Sequence, residues 1–195
     1  ACYLKLKPVK EPACKKCGKP VMNSVLEYCY DCMHTHHTFT MGRSLWLYNK
    51  SAQNMIINYK YGRRQEISHF LSAELWGRYG RWILRLGPDM IIPVPISPDR
   101  MRMRGFNQAG LIAEQISNYS GIYCEEKALL RTRQTKAQKG LSREERARNL
   151  AGAFLAEKKR LRESRRVLLI DAKRRFSIQS NYMHRGGKVR ISAGF

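Results

Sequence analysis

The pattern of apolar and polar positions divides the chain into three segments. Residues 1–38 have no long apolar period, so this stretch buries little core and needs a staple to fold. In residues 39–171, apolar and polar positions recur with the periods that are typical of helices and strands. Residues 172–195 have no clear periodicity. We therefore predict a small N-terminal module, one larger domain and a separate tail.

Three stretches of the larger domain have the apolar period of amphipathic helices. Ser51 is placed to cap the first helix, a second is predicted over 65–84, and a third over 107–119. Gly121 lies where the third helix would end. Because each pattern puts its apolar residues on one side, we expect each helix to pack on the core by that side.

Two short apolar runs have the length and composition of buried strands. The first, 90–96, leads into a rigid turn and then into a basic loop from Pro98. The second, 167–170, ends in Asp171. Because strands that alternate with helices are typical of a parallel sheet, we predict an α/β fold.

Four of the six cysteines form two Cys-x-x-Cys pairs, Cys14 with Cys17 and Cys29 with Cys32. Two intervening residues let both sulfurs of a pair reach one ion, and two pairs complete the tetrahedral thiolate site of structural Zn²⁺. Gly18 lets the backbone fold back after the first pair. Since no secretory signal pattern opens the chain, the pairs favour a metal site in the cytoplasm over disulfides.

Other interpretations of this region stay open. The four cysteines could be reduced thiols without metal, or one pair could be a redox dithiol. His34, His36 and His37 follow the last pair and could supply a replacement ligand, or they could be solvated loop residues. Cys2 and Cys124 lie outside both pairs and are interpreted as bystanders.

The formal net charge of +22 changes the picture more than any other bulk property. A basic surface attracts polyanions such as nucleic acid, phosphorylated ligands or acidic membrane surfaces. Residues 172–195 contribute six basic residues and no acid, yet basic residues also remain abundant through 131–166. No apolar run approaches the length that spans a bilayer, so no membrane span is predicted.

A second constellation follows the first predicted strand and comprises Pro95, Ser97, Arg100, Arg104, Asn107 and Gln108. In an open α/β sheet, ligands bind beyond the carboxyl ends of the strands. The helix from about Asn107 would offer backbone N–H groups to a phosphate, and the arginines add bidentate donors. A solvated basic loop is the alternative.

This block resembles the Pro-Val-Pro…Arg-Gly-Phe-Asn-Gln signature of the ComF family. Residues 59–62 resemble that family's Lys-Tyr-x-Gly segment, and residues 130–138 resemble its segment of arginine, threonine and glutamine. Arg143, Arg146 and Asn149 fit the continuation of that segment. The paired cysteines resemble its N-terminal zinc ribbon. The likeness covers roughly residues 14–171 in order, which is more specific than a lone motif.

The ComF family resembles type I phosphoribosyltransferases, which transfer the ribose phosphate of phosphoribosyl diphosphate to a nitrogen nucleophile. The resemblance implies a zinc ribbon followed by an incomplete parallel sheet of that transferase type. It implies that the loop from Pro95 to Arg104 contacts diphosphate, with Mg²⁺ as its companion ion, and that Asp171 contacts ribose. It also implies that 131–150 is a flexible loop that closes over the site. Family members support DNA uptake, so single-stranded DNA and proteins of the uptake machinery are the implied partners.

The transferase pattern breaks after Asp171. Transferases continue as Asp-Asp-x-x-x-Thr-Thr-Gly-x-Thr, whose backbone amides cradle the 5-phosphate. Here Ala172 replaces the second acid, and residues 173–177 contain neither glycine nor threonine. We interpret 172–195 as an aberrant basic tail, from a slipped reading frame or from divergence to a pseudoenzyme. This chain is then expected to be inactive, and its catalytic residues stay unassigned.

Two structural expectations follow from this break. The central sheet would lose a flank and expose an edge beside Leu168 and Ile170, and the tail would be mobile.

The alternative function is a non-catalytic, zinc-stapled protein that binds single-stranded DNA or a DNA-handling partner. Its cations would neutralise phosphates, and aromatic side chains would stack on bases. The candidates for stacking are Tyr28, Tyr30, Tyr48 and Tyr59, although packing in the core is the favoured interpretation for most aromatic residues.

Overall fold

A computed structural model gives the fold of the chain. It describes residues 5–35, 37, 39–133, 142, 145, 148–149, 152–161, 166–172 and 177–182, the last of these by backbone alone. Four expectations lie wholly or largely outside these residues: the ligand role of His36, the closing loop over 131–150, the family matches at Arg143 and Arg146, and the mobile tail.

Helices and strands are interspersed along the part of the chain that the structure describes. The helices are α1 (Tyr30–His34), α2 (Lys50–Tyr61), α3 (Ile67–Leu86), α4 (Pro98–Arg104), α5 (Gln108–Ser120) and α6 (Lys158–Leu161). The strands are β1 (Met41–Ser44), β2 (Met90–Pro93), β3 (Leu129–Arg131), β4 (Phe154–Ala156), β5 (Arg166–Asp171) and β6 (Ser177–Tyr182). Among the described residues, no helix is long and apolar enough to cross a bilayer.

The first long helix begins slightly earlier than the sequence indicates. The cap of α2 is Asn49, whose side-chain oxygen accepts from the backbone N–H of Ala52 at 2.9 Å. Ser51 therefore lies inside the first turn, and its predicted capping role is wrong. Asn is at least as good an N-cap as Ser, and the residue that precedes the helical backbone takes the role. The predicted end of α5 is confirmed, because Gly121 adopts a left-handed conformation with φ of 73° there.

The predicted basic loop after β2 is largely a helix. Ser97 occupies the N-cap position of α4, Pro98 opens the first turn, and Gly105 ends the helix at φ of 80°. Proline is preorganised for the first helical position, and a left-handed glycine is a common helix end. These signals are visible in the sequence, but the density of arginines pointed to a loop instead.

The main sheet has the strand order β1-β6-β5-β2. β2 and β5 are parallel, with Ile91 opposite Leu168, whereas β6 pairs antiparallel with both β5 and β1. The fold is α/β as predicted, but the sheet is mixed rather than parallel. A separate antiparallel pair joins β3 to β4.

The predicted loss of a sheet flank is wrong. β6 pairs with β5 along its whole length, from Arg166 opposite Tyr182 to Asp171 opposite Ser177. The edge beside Leu168 and Ile170 is therefore covered by backbone. The physical reason is that a central strand would otherwise keep a row of unpaired N–H and C=O groups, which β6 satisfies.

Both faces of the central strands are buried. On one face, Ile91, Leu168 and Ile170 pack with α2, α3 and α5 in the larger core. On the other face, Ile92 and Leu169 pack in a second cluster near β3 and α6. Burial on both faces explains why these strands are continuous apolar runs rather than alternating ones.

The N-terminal module covers the outer edge of the main sheet. The backbone N–H of Gly42 in β1 donates to the carbonyl of Lys16 at 2.7 Å. Gly18 has φ of 70°, and a Cβ at this position would lie 2.9 Å from the Cα of Arg43. Hydrogen bonds therefore cross the predicted boundary between residues 38 and 39, which itself stays a prediction.

Candidate metal centre and basic pocket

The two cysteine pairs come together in space. The four Sγ atoms of Cys14, Cys17, Cys29 and Cys32 all lie within 4.8 Å of one another, and those of Cys17 and Cys29 are 3.6 Å apart. A tetrahedral ion with metal–sulfur bonds of about 2.3 Å requires sulfur separations of about 3.8 Å. The donor set and its spacing therefore fit a structural metal site.

Local backbone hydrogen bonds position both pairs. Around the first pair, Gly18 donates its N–H to the carbonyl of Cys14 at 2.9 Å, and Cys14 donates to the carbonyl of Lys19 at 2.6 Å. Around the second, Cys32 donates to the carbonyl of Cys29 at 2.9 Å, because Cys29 caps α1. The ion pairs Lys15–Glu27 and Lys19–Asp31 join the two halves of the module.

The thiols differ in acidity because burial, backbone hydrogen bonds and neighbouring thiols act on each of them to a different extent. Burial opposes ionisation of Cys14, but backbone N–H groups of Cys17 and Cys29 outweigh it and lower its pKa to about 7. Burial, together with the neighbouring Cys14 and Cys29, raises the pKa of Cys17 to about 12, and burial likewise raises the pKa of Cys32. Four thiolates this close together need a cation to be ionised at once.

The neighbouring histidines are engaged elsewhere. Nδ1 of His34 lies 2.8 Å from the carbonyl oxygen of Tyr30, and its ring lies 4.1 Å from that of Tyr30. His37 stacks on Phe39 with ring centroids 5.0 Å apart. Within the part of the chain that the structure describes, the candidate metal ligands are the four cysteines alone.

A small basic pocket of about 90 Å³ lies at the carboxyl ends of β2 and β5. It gathers six of the seven residues predicted as ligand contacts: Pro95, Arg100, Arg104, Asn107, Gln108 and Asp171. The seventh, Ser97, is buried at the start of α4 and does not line the pocket. Lys60, Arg131 and Phe154 also line it. Lys60 and Arg131 lie in family-like segments, but nothing in the sequence indicated that they share one pocket.

The segment between the end of β2 and the start of α5 forms part of the pocket lining. Val94 donates its N–H to the carbonyl of Ile170 at 2.9 Å, which continues the pairing beyond the strand. The side chain of Asn107 accepts from the N–H of Ala109 at 3.1 Å and donates to the carbonyl of Val94 at 3.3 Å. Asn107 therefore caps α5 and ties the helix to the strand end.

Arg104 is the most deeply buried cation of the pocket, with 8% of its surface exposed. It donates from Nη1 to Oε1 of Gln108 at 2.7 Å and from Nη2 to the hydroxyl of Tyr61 at 3.4 Å. Its guanidinium also lies 5.0 Å from the centre of the Tyr61 ring. Burial lowers the pKa of Arg104; Tyr61 partly opposes this shift, whereas Arg100 adds to it.

Among the described residues, the pocket lining includes four basic side chains, Lys60, Arg100, Arg104 and Arg131, and one acid, Asp171. Burial lowers the pKa of Arg131, and the positive charge of Arg100 lowers it further. Such a concentration of positive charge attracts a small polyanion.

The transferase motif can be compared only at its start. Ala172, which replaces the second acid, is buried and lines the pocket. The segment in which a transferase cradles the 5-phosphate falls on 173–176, outside the described residues.

The candidate stacking residues divide into two groups. Tyr59 is fully buried and donates its hydroxyl to the carbonyl of Gln108 at 2.8 Å, so packing in the core is confirmed for this residue and stacking on bases is excluded. It packs in the core because it lies on the apolar side of α2. Tyr30 is 70% exposed, and Tyr28 and Tyr48 are 42% and 39% exposed.

Several known proteins are similar to the chain. Competence protein F of Haemophilus influenzae is 30% identical over 164 residues, which cover 82% of this chain and 71% of that protein. DNA utilization protein YhgH of Escherichia coli K12 is 32% identical over 148 residues, covering 74% of this chain and 64% of that protein. Competence protein ComFC of Bacillus subtilis is 28% identical over 123 residues, covering 58% of this chain and 49% of that protein.

The chain therefore spans about two thirds of the length of the Escherichia coli relative and about half of the Bacillus subtilis relative. No family model matches the chain, and no solved structure matches it. The likeness to phosphoribosyltransferases stays a prediction.

Proposed function

The chain belongs to the ComF family of competence proteins, and we propose that it supports the uptake of external DNA and binds phosphoribosyl diphosphate in its basic pocket. The relatives have names that refer to competence and to DNA utilization, which supports the first half of the proposal. The second half rests on the pocket at the carboxyl ends of β2 and β5.

The observation that carries the ligand proposal is the concentration of charge in a small space. Four basic side chains and a single acid surround a pocket of about 90 Å³. A diphosphate brings several negative charges, and arginines bind phosphate oxygens through bidentate hydrogen bonds. Asp171 is the acid of the pocket lining and is the proposed contact of the ribose hydroxyls. Mg²⁺ would enter with the diphosphate as its companion ion.

We expect binding without transfer. Ala172 offers no second carboxylate to the ribose, and residues 173–177 lack the glycines that let backbone amides surround a phosphate. The proposed role is therefore that of a ligand-binding component of DNA uptake rather than a competent phosphoribosyltransferase.

We also propose that the metal of the cysteine cluster is Zn²⁺. Four thiolates in tetrahedral spacing are the donor set that structural Zn²⁺ prefers. With all four positions filled by protein, the ion would hold the module together and supply no open coordination site. The proposed location is the cytoplasm, where thiols stay reduced.

The ligand proposal is tested by calorimetric titration of the full chain with phosphoribosyl diphosphate. Arg100→Ala removes a half-buried pocket cation and is expected to weaken binding about tenfold, because charge-assisted hydrogen bonds contribute about 1.5–3 kcal/mol. Arg102→Ala is the matched control, since Arg102 lies on the same helix but is exposed and paired with Asp99. No saturable binding by the wild type, or equal losses in both variants, would refute the proposal.

A second candidate function is binding of single-stranded DNA through the cysteine module. It is favoured by the exposed rings of Tyr28 and Tyr30 in a module that also contains Lys15 and Lys16, since stacking and phosphate neutralisation need these residue types. Affinity for DNA should then fall steeply with salt, fall further in Tyr30→Ala, and survive Arg104→Ala. DNA affinity that is lost in Arg104→Ala but kept in Tyr30→Ala would exclude this module as the binding surface.

A further inference from the structure

Arg104 is a buried cation with neutral hydrogen-bond partners. The amide of Gln108 and the hydroxyl of Tyr61 accept from its two Nη atoms, and neither partner has a negative charge. Its Nε atom is buried and has no hydrogen-bond partner among the described residues. A buried charge without a counter-ion is costly, so an anionic ligand that enters the pocket would stabilise the charge of Arg104.

Gln108 is fixed on all sides. Its Oε1 accepts from Arg104 at 2.7 Å, and its Nε2 donates to the backbone carbonyl of Phe106 at 3.3 Å. Its own backbone carbonyl accepts the hydroxyl of Tyr59 at 2.8 Å. Only 1% of its surface is exposed, although the residue lines the pocket. Each polar atom of this side chain therefore already has a hydrogen-bond partner within the protein.

We infer that Gln108 is a positioning residue that aims the guanidinium of Arg104 at the anion while leaving its charge uncompensated. This inference rests on the proposed function, because it assigns a role within the proposed anion site. A neutral amide serves this role better than a carboxylate. A carboxylate at the same place would hold the guanidinium equally well, but it would cancel the charge that the ligand needs.

The decisive variant is Gln108→Glu, which keeps the size of the side chain and replaces the neutral acceptor with a charged one. We expect the affinity for inorganic diphosphate, measured by calorimetry, to fall at least ~10-fold, because the new ion pair competes with the ligand. Gln108→Met removes the acceptor without adding charge and should weaken binding ~3- to 10-fold, through loss of orientation alone.

Thermal unfolding separates positioning from a merely structural role. Gln108→Glu should melt at a higher temperature than Gln108→Met, because it keeps a bond to Arg104, yet it should bind diphosphate more weakly. If Gln108 only supports the fold, stability and affinity would rank the two variants in the same order, and the inference would be overturned. If Gln108→Glu fails to fold, unchanged affinity in Gln108→Met overturns it equally.

The two proposals fail in different ways. If the wild type does not bind diphosphate, the proposed function and this inference fall together. If the wild type binds and Arg100→Ala weakens binding, while Gln108→Glu binds as the wild type does, the anion site stands and only the role of Gln108 is overturned.

Discussion

The cysteine cluster and the basic pocket are built in opposite ways. The four ligands of the cluster lie within 19 residues, from Cys14 to Cys32, and local turns bring them together. The pocket takes side chains from α2, β3, β4, α4, α5 and the ends of β2 and β5, from Lys60 to Ala172. The first site is a local motif, whereas the second exists only when the whole sheet is assembled. Substitutions in the two sites should therefore have different effects on stability, metal content and ligand affinity.

The largest expected effect is that of metal removal. Chelation, or Cys14→Ser, should cost about 3 kcal/mol or more, because small thiolate modules take most of their folding free energy from the metal. The module holds the sheet edge through the bond from Gly42 to Lys16, so the amide of Gly42 should lose its protection from hydrogen exchange.

The matched control for metal removal is Cys124→Ser. Cys124 lies outside the cluster, so this variant should change neither metal content nor the exchange of Gly42. Metal content equal to that of the wild type in Cys14→Ser would contradict a four-cysteine site.

The junction between module and sheet gives the next largest effect. Gly18→Ala places a Cβ 2.9 Å from the backbone of Arg43 and also forces a left-handed conformation on alanine, so we expect a loss of about 2–4 kcal/mol. Gly121→Ala carries the conformational cost alone, since nothing lies within 4 Å of the new Cβ, and should lose about 1 kcal/mol.

Gly77→Ala is expected to change the free energy of unfolding in the opposite direction. Gly77 lies inside α3 with nothing within 4 Å of a new Cβ, so alanine should stabilise the protein by about 0.5–1 kcal/mol. Urea unfolding of all three glycine variants measures the order. Equal losses of unfolding free energy for Gly18→Ala and Gly121→Ala would mean that the module is not closely packed against β1.

A smaller effect is expected beneath the pocket. Tyr59→Phe removes the buried hydrogen bond to the carbonyl of Gln108 and should cost about 1–2 kcal/mol in urea unfolding. Because this bond fixes the start of α5, ligand affinity should fall as well, while metal content stays unchanged. Loss of metal from Tyr59→Phe would show that the two regions are not separate.

The smallest effect belongs to a contact in neither region. Burial disfavours the charged form of Glu125, but the N–H of Lys127, the hydroxyl of Tyr123 and Arg160 outweigh it and lower its pKa. A carboxylate whose pKa is lowered by folding stabilises the protein at pH values above its pKa in the unfolded chain. This stabilisation is lost as the pH falls through the pKa of the folded protein. Glu125→Gln should therefore cost less than about 1 kcal/mol at pH 7, and the difference should shrink below about pH 4. A difference that grows on acidification would contradict this account.

The contrast between the regions also decides what the sequence could predict. Spacing alone brought Cys14, Cys17, Cys29 and Cys32 to one site, because two residues within each pair leave few other geometries. The strands β2 and β5 could also be predicted from the sequence, because burial on both faces requires continuous apolar runs.

Features that depend on residues far apart in the sequence could not be predicted from the sequence. Lys60 and Arg131 are 71 positions apart, and only the topology puts both beside Arg104. β6 was missed because its residues 177–182 lack a strong apolar pattern, and its place is set by the open edges of β5 and β1. The helix α4 was missed for another reason, since its capping signals competed with a run of arginines.

The most direct test of the ligand proposal is hydrogen exchange of the full chain with and without phosphoribosyl diphosphate. The account predicts slower exchange between Val94 and Ala109, where α4 and the start of α5 surround the pocket, and no change around the four cysteines. Protection confined to the cysteine module, or none at saturating ligand, would contradict the claim that the basic pocket is the binding site.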